Sequence, residues 1–173
     1  TSEIVNVEVL DYPNVALNVP LQNELCDGES LLIAVAAGAD TYEWYFNNTQ
    51  QSETSNSFSA QFTGEYFVIA SNGDCAATSE IVDLEIIDYP SVNLSVPLQN
   101  EICNGDLLTI AVPPGADHYE WFKDGNTLNE FTNSITTGEA GDYYIVASNG
   151  DCISISETVN IQVFDYPDIA LNA

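Results

Sequence analysis

The sequence predicts an all-β fold in which two similar β-sandwich units follow one another along the chain. Residues 14–90 and 91–167 are identical at about half of their positions without an insertion, and a fixed period of this length indicates an array of similar units. Apolar and polar residues alternate over short segments, which is the pattern of strands with one buried face, and no segment predicts a helix of useful length. Asn-Gly occurs at 72–73 and again at 149–150; this dipeptide favours the two-residue type I′ turn of a β-hairpin.

Five strands with inward-facing apolar residues are predicted in each unit. Residues 47–63 are polar and poorly patterned, so we expect one or two short edge strands there. In the first unit the inward-facing sets, in chain order, are Val15, Leu17 and Val19; Leu31, Ile33 and Val35; Tyr42, Trp44 and Phe46; Tyr66, Val68 and Ala70; and Val82, Leu84 and Ile86.

The tripeptide Asp-Tyr-Pro marks the unit boundaries, because it occurs at 11–13, 88–90 and 165–167. The predicted repeats are residues 11–87 and 88–164. Residues 1–10 copy the last strand of a repeat, and residues 165–173 copy the first strand of the next one. We therefore expect the chain to be a window from a longer array, with further copies of the same repeat as its neighbours in the parent chain.

Composition excludes several partners. The formal net charge is −26, with Lys123 as the single Lys or Arg, so a phosphate backbone would be repelled and nucleic-acid binding is excluded. No apolar run approaches the length of a membrane span, and no direct membrane insertion of this segment is expected. Two cysteines per 77-residue unit, without a CxxC pair, favour disulfides in an oxidising, extracellular setting over a zinc site.

The spacing of several motifs resembles a known family. Each unit carries Cys-x-Gly-[Glu/Asp], then Tyr-x-Trp, then Gly-x-Tyr (Gly64 to Tyr66 in the first unit), then Asn-Gly-x-Cys and a closing β-rich strand. A Trp on a central strand and a Tyr opening a late strand resemble an immunoglobulin-like sandwich with a tyrosine corner. The whole pattern is similar to the Ig-like or PKD-like repeats of giant bacterial surface adhesins exported by the type IX secretion system, of the gliding-motility type. Two features depart from the wider families: Val68 and Ile145 stand where antibody-type domains carry the second Cys, and the Trp-Asp-Phe-Gly-Asp-Gly run of PKD domains is missing.

This resemblance implies a function as well as a fold. It implies tandem immunoglobulin-like (PKD-like) antiparallel β-sandwiches in a head-to-tail array, forming a structural segment of a long filamentous adhesin at the cell surface. The segment would transmit attachment or traction in gliding motility. The alternative is a carbohydrate-binding or accessory module of a secreted polysaccharide-degrading enzyme; a matrix or surface-layer protein is a third interpretation. A surface or polysaccharide ligand is a candidate partner.

Two disulfide patterns are open. One pairs cysteines within each unit, Cys26 with Cys75 and Cys103 with Cys152. The predicted strand order opposes this pattern, because a strand of seven or eight residues spans about 25 Å and would separate the two cysteines of a unit. The other pattern joins Cys26 to Cys152 across the junction and leaves Cys75 and Cys103 for neighbouring repeats.

Three carboxylates per unit are candidate calcium ligands, because their segments are expected at the linker-proximal end and calcium takes several oxygen ligands from such loops. The opposing interpretation is that they cap turns and face water. The candidates are Asp11, Asp40, Asp74, Asp88, Asp117 and Asp151.

The linkers are predicted to be stiff. Pro fixes φ and biases the preceding residue toward an extended conformation, and residues 79–96 contain no Gly. We expect the Tyr to be wedged between units. The linker residues are Asp11, Tyr12, Pro13, Asp88, Tyr89, Pro90, Asp165, Tyr166 and Pro167.

Alternation also places apolar residues on the face opposite the core. Such a patch indicates an interface, either a fibre contact or a ligand platform; the opposing interpretation is that residues 47–63 fold over it. The residues are Tyr45, Phe67, Ile69, Phe122, Tyr144 and Val146.

No catalytic residue is predicted. His118 is the single His, and Thr41 replaces it in the first unit, so a Ser-His-Asp triad would be confined to one copy. Pairs of carboxylates occur by chance among 27 acidic residues, and a sandwich of this size is not expected to offer the cleft that glycoside hydrolysis needs.

Overall fold

A computed structural model describes residues 3–4, 6–7 and 9–167 of the chain. The chain divides into two compact units, Thr1–Ile87 and Asp88–Ala173. The strands predicted within 1–10 and 165–173 fall partly on residues 1, 2, 5, 8 and 168–173, which lie outside the described residues. The described part is all-β and includes no helix long and apolar enough to cross a membrane.

Each unit contains eight strands at matching positions. The first unit has β1 Gln22–Cys26, β2 Leu31–Ala34, β3 Thr41–Phe46, β4 Thr49–Gln50, β5 Ser57–Ala60, β6 Gly64–Asn72, β7 Cys75–Thr78 and β8 Val82–Ile87. The second has β9 Gln99–Cys103, β10 Leu108–Ala111, β11 His118–Lys123, β12 Asn126–Thr127, β13 Ser134–Thr137, β14 Gly141–Asn149, β15 Cys152–Ile155 and β16 Val159–Phe164.

Two sheets form the sandwich in each unit. The larger sheet of the first unit has the order β1-β8-β6-β3-β4, with β7 also paired to β6, and the smaller sheet is β2-β5. The second unit repeats this as β9-β16-β14-β11-β12 with β15 on β14, and β10-β13. The predicted antiparallel sandwich is confirmed apart from one pair per unit, since β1 runs parallel to β8 and β9 runs parallel to β16.

One edge of the long strand β6 is shared by two partners. Its first residues pair with β8 and its last residues pair with β7. Buried Ser79 stands at the change of partner: its backbone N–H donates to Val68 O at 2.9 Å and its hydroxyl accepts from Val68 N at 3.1 Å. The side chain thereby replaces a backbone partner that the break between β7 and β8 removes.

The core lies between the sheets and contains four of the five predicted inward sets. Trp44 and Trp121 are fully buried, and each Nε1–H donates at 2.9 Å to a backbone carbonyl, of Ser55 and Thr132 respectively. The remaining set, Val15, Leu17 and Val19, packs half-buried against the core but forms no strand. Its backbone meets β2 only around Asn18, whose N–H donates to Ala34 O and whose Oδ1 accepts from Ala34 N.

The predicted tyrosine corner is present in both units. Tyr66 Oη donates to Phe62 O at 2.7 Å, and Tyr143 Oη donates to Glu139 O at 3.0 Å. Both rings are buried, at 2% and 1% exposure. Burial raises the pKa of the Tyr66 hydroxyl, so this group stays a hydrogen-bond donor throughout the physiological range.

Candidate functional site

The hairpin between β6 and β7 holds the chain that enters the first unit. Asn72 Nδ2 donates to the backbone carbonyl of Asp11 at 2.9 Å, and Asn72 Oδ1 accepts from Asp40 N at 3.1 Å. The Asp40 carboxylate in turn accepts from Gly73 N at 3.0 Å. One asparagine therefore joins the linker to the loop that precedes β3.

The second unit repeats this arrangement. Asn149 Nδ2 donates to Asp88 O at 2.9 Å, Asp117 N donates to Asn149 Oδ1 at 3.1 Å, and Gly150 N donates to Asp117 Oδ2 at 3.3 Å. The linker is held by its backbone rather than by a side chain. We call the hairpin with its aspartate, residues 72–75 with Asp40 and residues 149–152 with Asp117, the entry clamp.

The turn of the entry clamp differs from the predicted one. Asn72 pairs with Cys75 as the last rung of the hairpin, so the two-residue loop is Gly73-Asp74 rather than Asn-Gly. Gly73 has a φ of 53°, whereas Asp74 is not among the residues with positive φ. This is the pattern of a type II′ turn, and the predicted type I′ turn is wrong. The conformation releases the Asn72 side chain to bind the linker.

The entry clamp brings together the segments that carry the candidate calcium ligands, but not their carboxylates. Among residues 3–4, 6–7 and 9–167, no group of three or more His, Cys, Asp or Glu side chains is placed to hold a metal ion. Asp40 and Asp117 instead accept hydrogen bonds from the hairpin, and Asp11 and Asp88 contribute their backbone carbonyls. Calcium binding stays a prediction, and this geometry does not support it.

The opposite end of each unit is built from the Cys-x-Gly-[Glu/Asp] motif. In the first unit Cys26 N donates to Glu29 Oε2 at 3.0 Å and Glu29 N donates to Cys26 O at 3.0 Å. In the second, Cys103 N donates to Asp106 Oδ2 at 3.3 Å and Asp106 N donates to Cys103 O at 2.9 Å. The acidic residue closes a tight turn after the strand, which explains its place in the motif.

This turn lies beside the strand that leaves the unit. Cys26 pairs with Ile87 and Cys103 pairs with Phe164, each at the end of the last strand. Asp27 N then donates to Ile87 O at 3.0 Å, and Asn104 N donates to Phe164 O at 2.8 Å. We call this end of each unit the exit end. Tyr166 lies close to it: the charges of Asp106 and then of Cys103 raise the pKa of its hydroxyl.

Strand registers separate the two cysteines of each unit. The path along the sheet from Cys26 to Cys75 runs first down β8 and then along β6. It covers three residues from Ile87, the partner of Cys26, to Leu84, which pairs with Gly64. It covers eight more from Gly64 to Asn72, the partner of Cys75, which makes eleven in all. At about 3.3 Å per residue, Cys26 and Cys75 lie about 35 Å apart, whereas disulfide Cα atoms must lie within about 7 Å.

The states of the cysteines agree with this distance. Cys26 and Cys152 are disulfide-bonded, and Cys75 and Cys103 are free thiols. The within-unit pairs Cys26–Cys75 and Cys103–Cys152 are therefore wrong, because the two cysteines of a unit stand at opposite ends of the same sheet.

The linker tyrosines retain much of their exposure. Tyr12, Tyr89 and Tyr166 are 73%, 48% and 64% exposed. The three prolines differ, since Pro90 is buried, Pro13 half-buried and Pro167 exposed. The tyrosine wedge stays a prediction, and these exposures give it no support.

The predicted apolar face is half-buried rather than open. Tyr45 stacks on Phe67 with ring centroids 4.8 Å apart and an interplanar angle of 1°, and Phe122 stacks on Tyr144 with the same values. Ile69 and Val146 are half-buried beside them. Residues 47–63 do not fold over this face in the strands they form: β4 extends the sheet edge at β3, and β5 pairs with β2 in the other sheet.

One pair of interactions was not found from the sequence. Lys123 forms an ion pair with Glu139 and lies 5.8 Å from the centre of the Tyr143 ring. The hydrogen bond between the two raises the pKa of Lys123 and lowers that of Glu139. The sequence does contain a signal for this pair, because both of its positions differ between the repeats. Phe46 and Phe62 occupy the corresponding positions of the first unit, with ring centroids 6.5 Å apart.

His118 lies at the start of β11 on the surface of the second unit. It is exposed, and its ring centroid lies 5.6 Å from that of Phe131.

Comparison with known proteins supports the fold. No protein-family model matches the chain. Mouse Fc receptor-like protein 5 is 25% identical over 179 residues, which cover 85% of this chain and 30% of that protein, so the chain spans less than a third of this relative.

Solved structures are similar at lower identity. The crystal structure of Rst D1-D2 is 13% identical, with a TM-score of 0.53 over 87% of this chain and 99% of that one. The four N-terminal Ig domains of Dscam1 isoform 9.44 are 11% identical, with a TM-score of 0.49 over 92% of this chain and 48% of that one. Sheet order, buried Trp and tyrosine corner agree with the likeness to Rst D1-D2, and both compact units have the immunoglobulin-like β-sandwich fold.

Proposed function

We propose that the chain is a structural repeat segment of a long extracellular filamentous adhesin, which transmits attachment or traction at the cell surface. One observation carries the proposal: in each unit the chain enters and leaves at opposite ends of the same sheet. The entering residue is held by the entry clamp, Asp11 by Asn72 and Asp88 by Asn149. The leaving strand ends beside Cys26 or Cys103.

Such a unit lengthens a fibre with every copy. Entry and exit are separated by the eleven-residue register described above, so each repeat advances the chain by about 35 Å or more. A unit with both termini at one end would add little length. The backbone contact between clamp and linker depends on no particular side chain at the linker, which suits an array whose repeats vary in sequence.

Charge and redox state support the extracellular setting. A formal charge of −26 on 173 residues keeps neighbouring chains apart within a Debye length of about 8 Å at physiological salt. Two cysteines are disulfide-bonded, which is typical of secreted and surface proteins. Export by a type IX system and a role in gliding motility are part of the proposal, and the sequence resemblance to giant surface adhesins supports them.

Electron microscopy of the native parent protein tests this function. We expect extended fibres, and deleting one repeat from the parent should shorten them by one increment of about 35–40 Å. Antibodies to the chain should label intact cells, and loss of the parent should abolish attachment or gliding. Compact particles whose dimensions do not change when a repeat is deleted, or exclusively intracellular labelling, would contradict the proposal.

A carbohydrate-binding module is the second candidate, favoured by the stacked aromatic pairs that recur in both units. Half-buried rings on a sheet face offer surfaces against which sugar rings pack. A glycan screen of the chain tests it. The double variant Tyr45→Ala, Phe122→Ala removes one ring of each stacked pair, and Phe62→Ala removes an exposed ring elsewhere as a control. Loss of glycan binding in the double variant, with binding retained in the control, would favour this candidate over a purely structural role.

A further inference from the structure

We propose that Cys75 and Cys103 are each one half of a disulfide bond that the adjacent repeat of the parent chain completes, so that a disulfide spans every junction of the array. The inference rests on the proposed function, because it requires repeats before and after this chain. It assigns the two cysteines that the described structure leaves as thiols.

The surroundings of Cys75 identify its partner. Leu10 precedes Asp11-Tyr12-Pro13 as Ile87 precedes Asp88-Tyr89-Pro90, 77 residues later. Cys26 pairs with Ile87 on the parallel rung of β1 and β8, so the matching cysteine of a preceding repeat would lie beside Leu10. The Sγ of Cys75 lies 3.7 Å from Leu10 O, at the position where that cysteine would arrive.

Cys103 occupies the complementary position at the exit end. It pairs with Phe164, and the neighbouring Asn104 binds Asp165 through its side chain at 2.9 Å. Asp165 corresponds to Asp88, whose carbonyl is held by Asn149 on the hairpin that carries Cys152. The entry clamp of a following repeat would therefore bring its own cysteine to Cys103.

An independent observation supports the assignment. Cys152 is the counterpart of Cys75, Cys26 is the counterpart of Cys103, and both counterparts are disulfide-bonded. They are also buried, at 2% and 8% exposure, whereas Cys75 and Cys103 are half-exposed. The two positions that Cys75 and Cys103 occupy in the repeat, on the entry hairpin and at the exit end, are therefore both positions at which this sequence forms disulfides.

The bond-forming step needs an oxidant. Two thiols form one S–S bond and pass two electrons and two protons to a disulfide oxidant, which is reduced to two thiols. Each bridge of this kind encloses the 125 residues that lie between Cys26 and Cys152, or their equivalents. Successive bridges overlap, so the array becomes a ladder rather than a series of separate loops.

The ladder is tested with tandem copies of residues 11–164 joined directly to one another. Phe164 of one copy is then followed by Asp11 of the next, which reproduces the natural sequence Phe164-Asp165. Thiols are alkylated in the native, oxidised protein, and bridges are mapped by mass spectrometry after digestion without reductant. The 173-residue chain should show two thiols, Cys75 and Cys103, and a linked Cys26–Cys152 peptide. A two-copy concatemer should still show two thiols, with Cys103 of the first copy linked to Cys75 of the second.

A matched variant sharpens the result. Changing Cys75→Ser in the second copy alone should raise the count from two thiols to three, with Cys103 of the first copy as the new one. Four thiols in the unchanged concatemer, or any Cys26–Cys75 peptide, would overturn the inference. The concatemer result does not depend on where the parent protein resides, so a ladder without surface fibres would count against the proposed function and leave the inference standing.

Discussion

At the residue scale, the two repeats cover the ring of the corner tyrosine with different side chains. Phe46 stacks on the corner ring Tyr66 with centroids 4.8 Å apart, while Lys123 places its ammonium over Tyr143 and pairs with Glu139. A cation over an aromatic face and a second stacked ring are both favourable contacts for the face of the tyrosine ring. The tyrosine itself is kept because its hydroxyl fixes the preceding loop.

Removing that hydroxyl should therefore cost stability without creating a cavity. Tyr66→Phe deletes the bond to Phe62 O, and the free energy of unfolding should fall by about 1–1.5 kcal/mol. Urea denaturation measures the difference. Tyr45→Phe is the matched control, since its hydroxyl meets only the exposed carboxylate of Glu43, and it should change stability by less than about 0.5 kcal/mol. Equal effects of the two variants would contradict the role of the corner.

The ion pair gives the second repeat a pH dependence that the first lacks. The Glu139 pKa is lowered by Lys123, so its contribution is present above the ordinary Glu range and is lost as pH falls through the lowered pKa. The Lys123 pKa is raised, so its contribution is present below the ordinary Lys value and is lost as pH rises through the raised pKa.

Thermal denaturation of Glu139→Gln tests this sign. At pH 7 the variant should be less stable than Glu101→Gln, a control that removes one negative charge from an exposed strand position. The difference between the two variants should vanish at acidic pH, where Glu139 is protonated in both states. A difference that persists unchanged below about pH 3 would show that the pair is not its cause.

At the scale of elements, period-two alternation predicts the strands that bury one face, and it misses strand β1, which depends on its neighbour. The alternating sets in β2, β3, β6 and β8 bury one face and were predicted from period alone. Strand β1 reads Gln-Asn-Glu-Leu-Cys and is defined by its parallel pairing with β8, which no local pattern encodes. Conversely, Val15, Leu17 and Val19 alternate like a strand but lack a continuous hydrogen-bonded neighbour.

In the candidate site, too, some features could be predicted from the sequence and others could not. Both cysteine motifs and the linker tripeptide were visible as repeated residues. The role of Asn72 was not, because its use depends on a turn in which Gly73 rather than Asn72 takes the positive φ. The calcium hypothesis followed from the correct prediction that three segments meet, but proximity of segments does not fix where carboxylates point.

Asn72→Ala should weaken the hold on the linker. The change removes the bonds to Asp11 O and Asp40 N, and unfolding free energy should fall by about 1–2 kcal/mol. Hydrogen exchange should be faster at Gly73, whose N–H donates to the Asp40 carboxylate, whereas Asp40 N keeps its bond to Ser71 O. Asn126→Ala is the control, because the Asn126 amide bonds only to Asp124 O in its own turn. A loss as small as that of the control would contradict the clamp.

At the scale of the whole molecule, net charge opposes the compact state. Twenty-seven acidic residues face a single Lys, and the ion pair of Lys123 is the only one among the residues the structure describes. Mutual repulsion of this kind is lowered by screening.

The melting temperature should therefore rise steadily as NaCl increases from about 0.01 to 0.5 M. A variant with several exposed Asp or Glu residues changed to Asn or Gln should melt higher at low salt and respond less to added NaCl. Calorimetry measures both. A melting temperature that falls with salt would show that attractive rather than repulsive charge interactions dominate.

The proposed disulfide ladder joins successive sandwiches across their junctions, so that the array would bear load as one body. Single-molecule stretching of the 173-residue chain from its two ends tests it most directly. The proposed Cys26–Cys152 bridge predicts that reduction releases the 125 residues between these two cysteines, which adds about 440 Å to the fully extended length at about 3.5 Å per residue. A gain of about 340 Å, as expected for two within-unit loops of 48 residues each, or no gain at all, would contradict it.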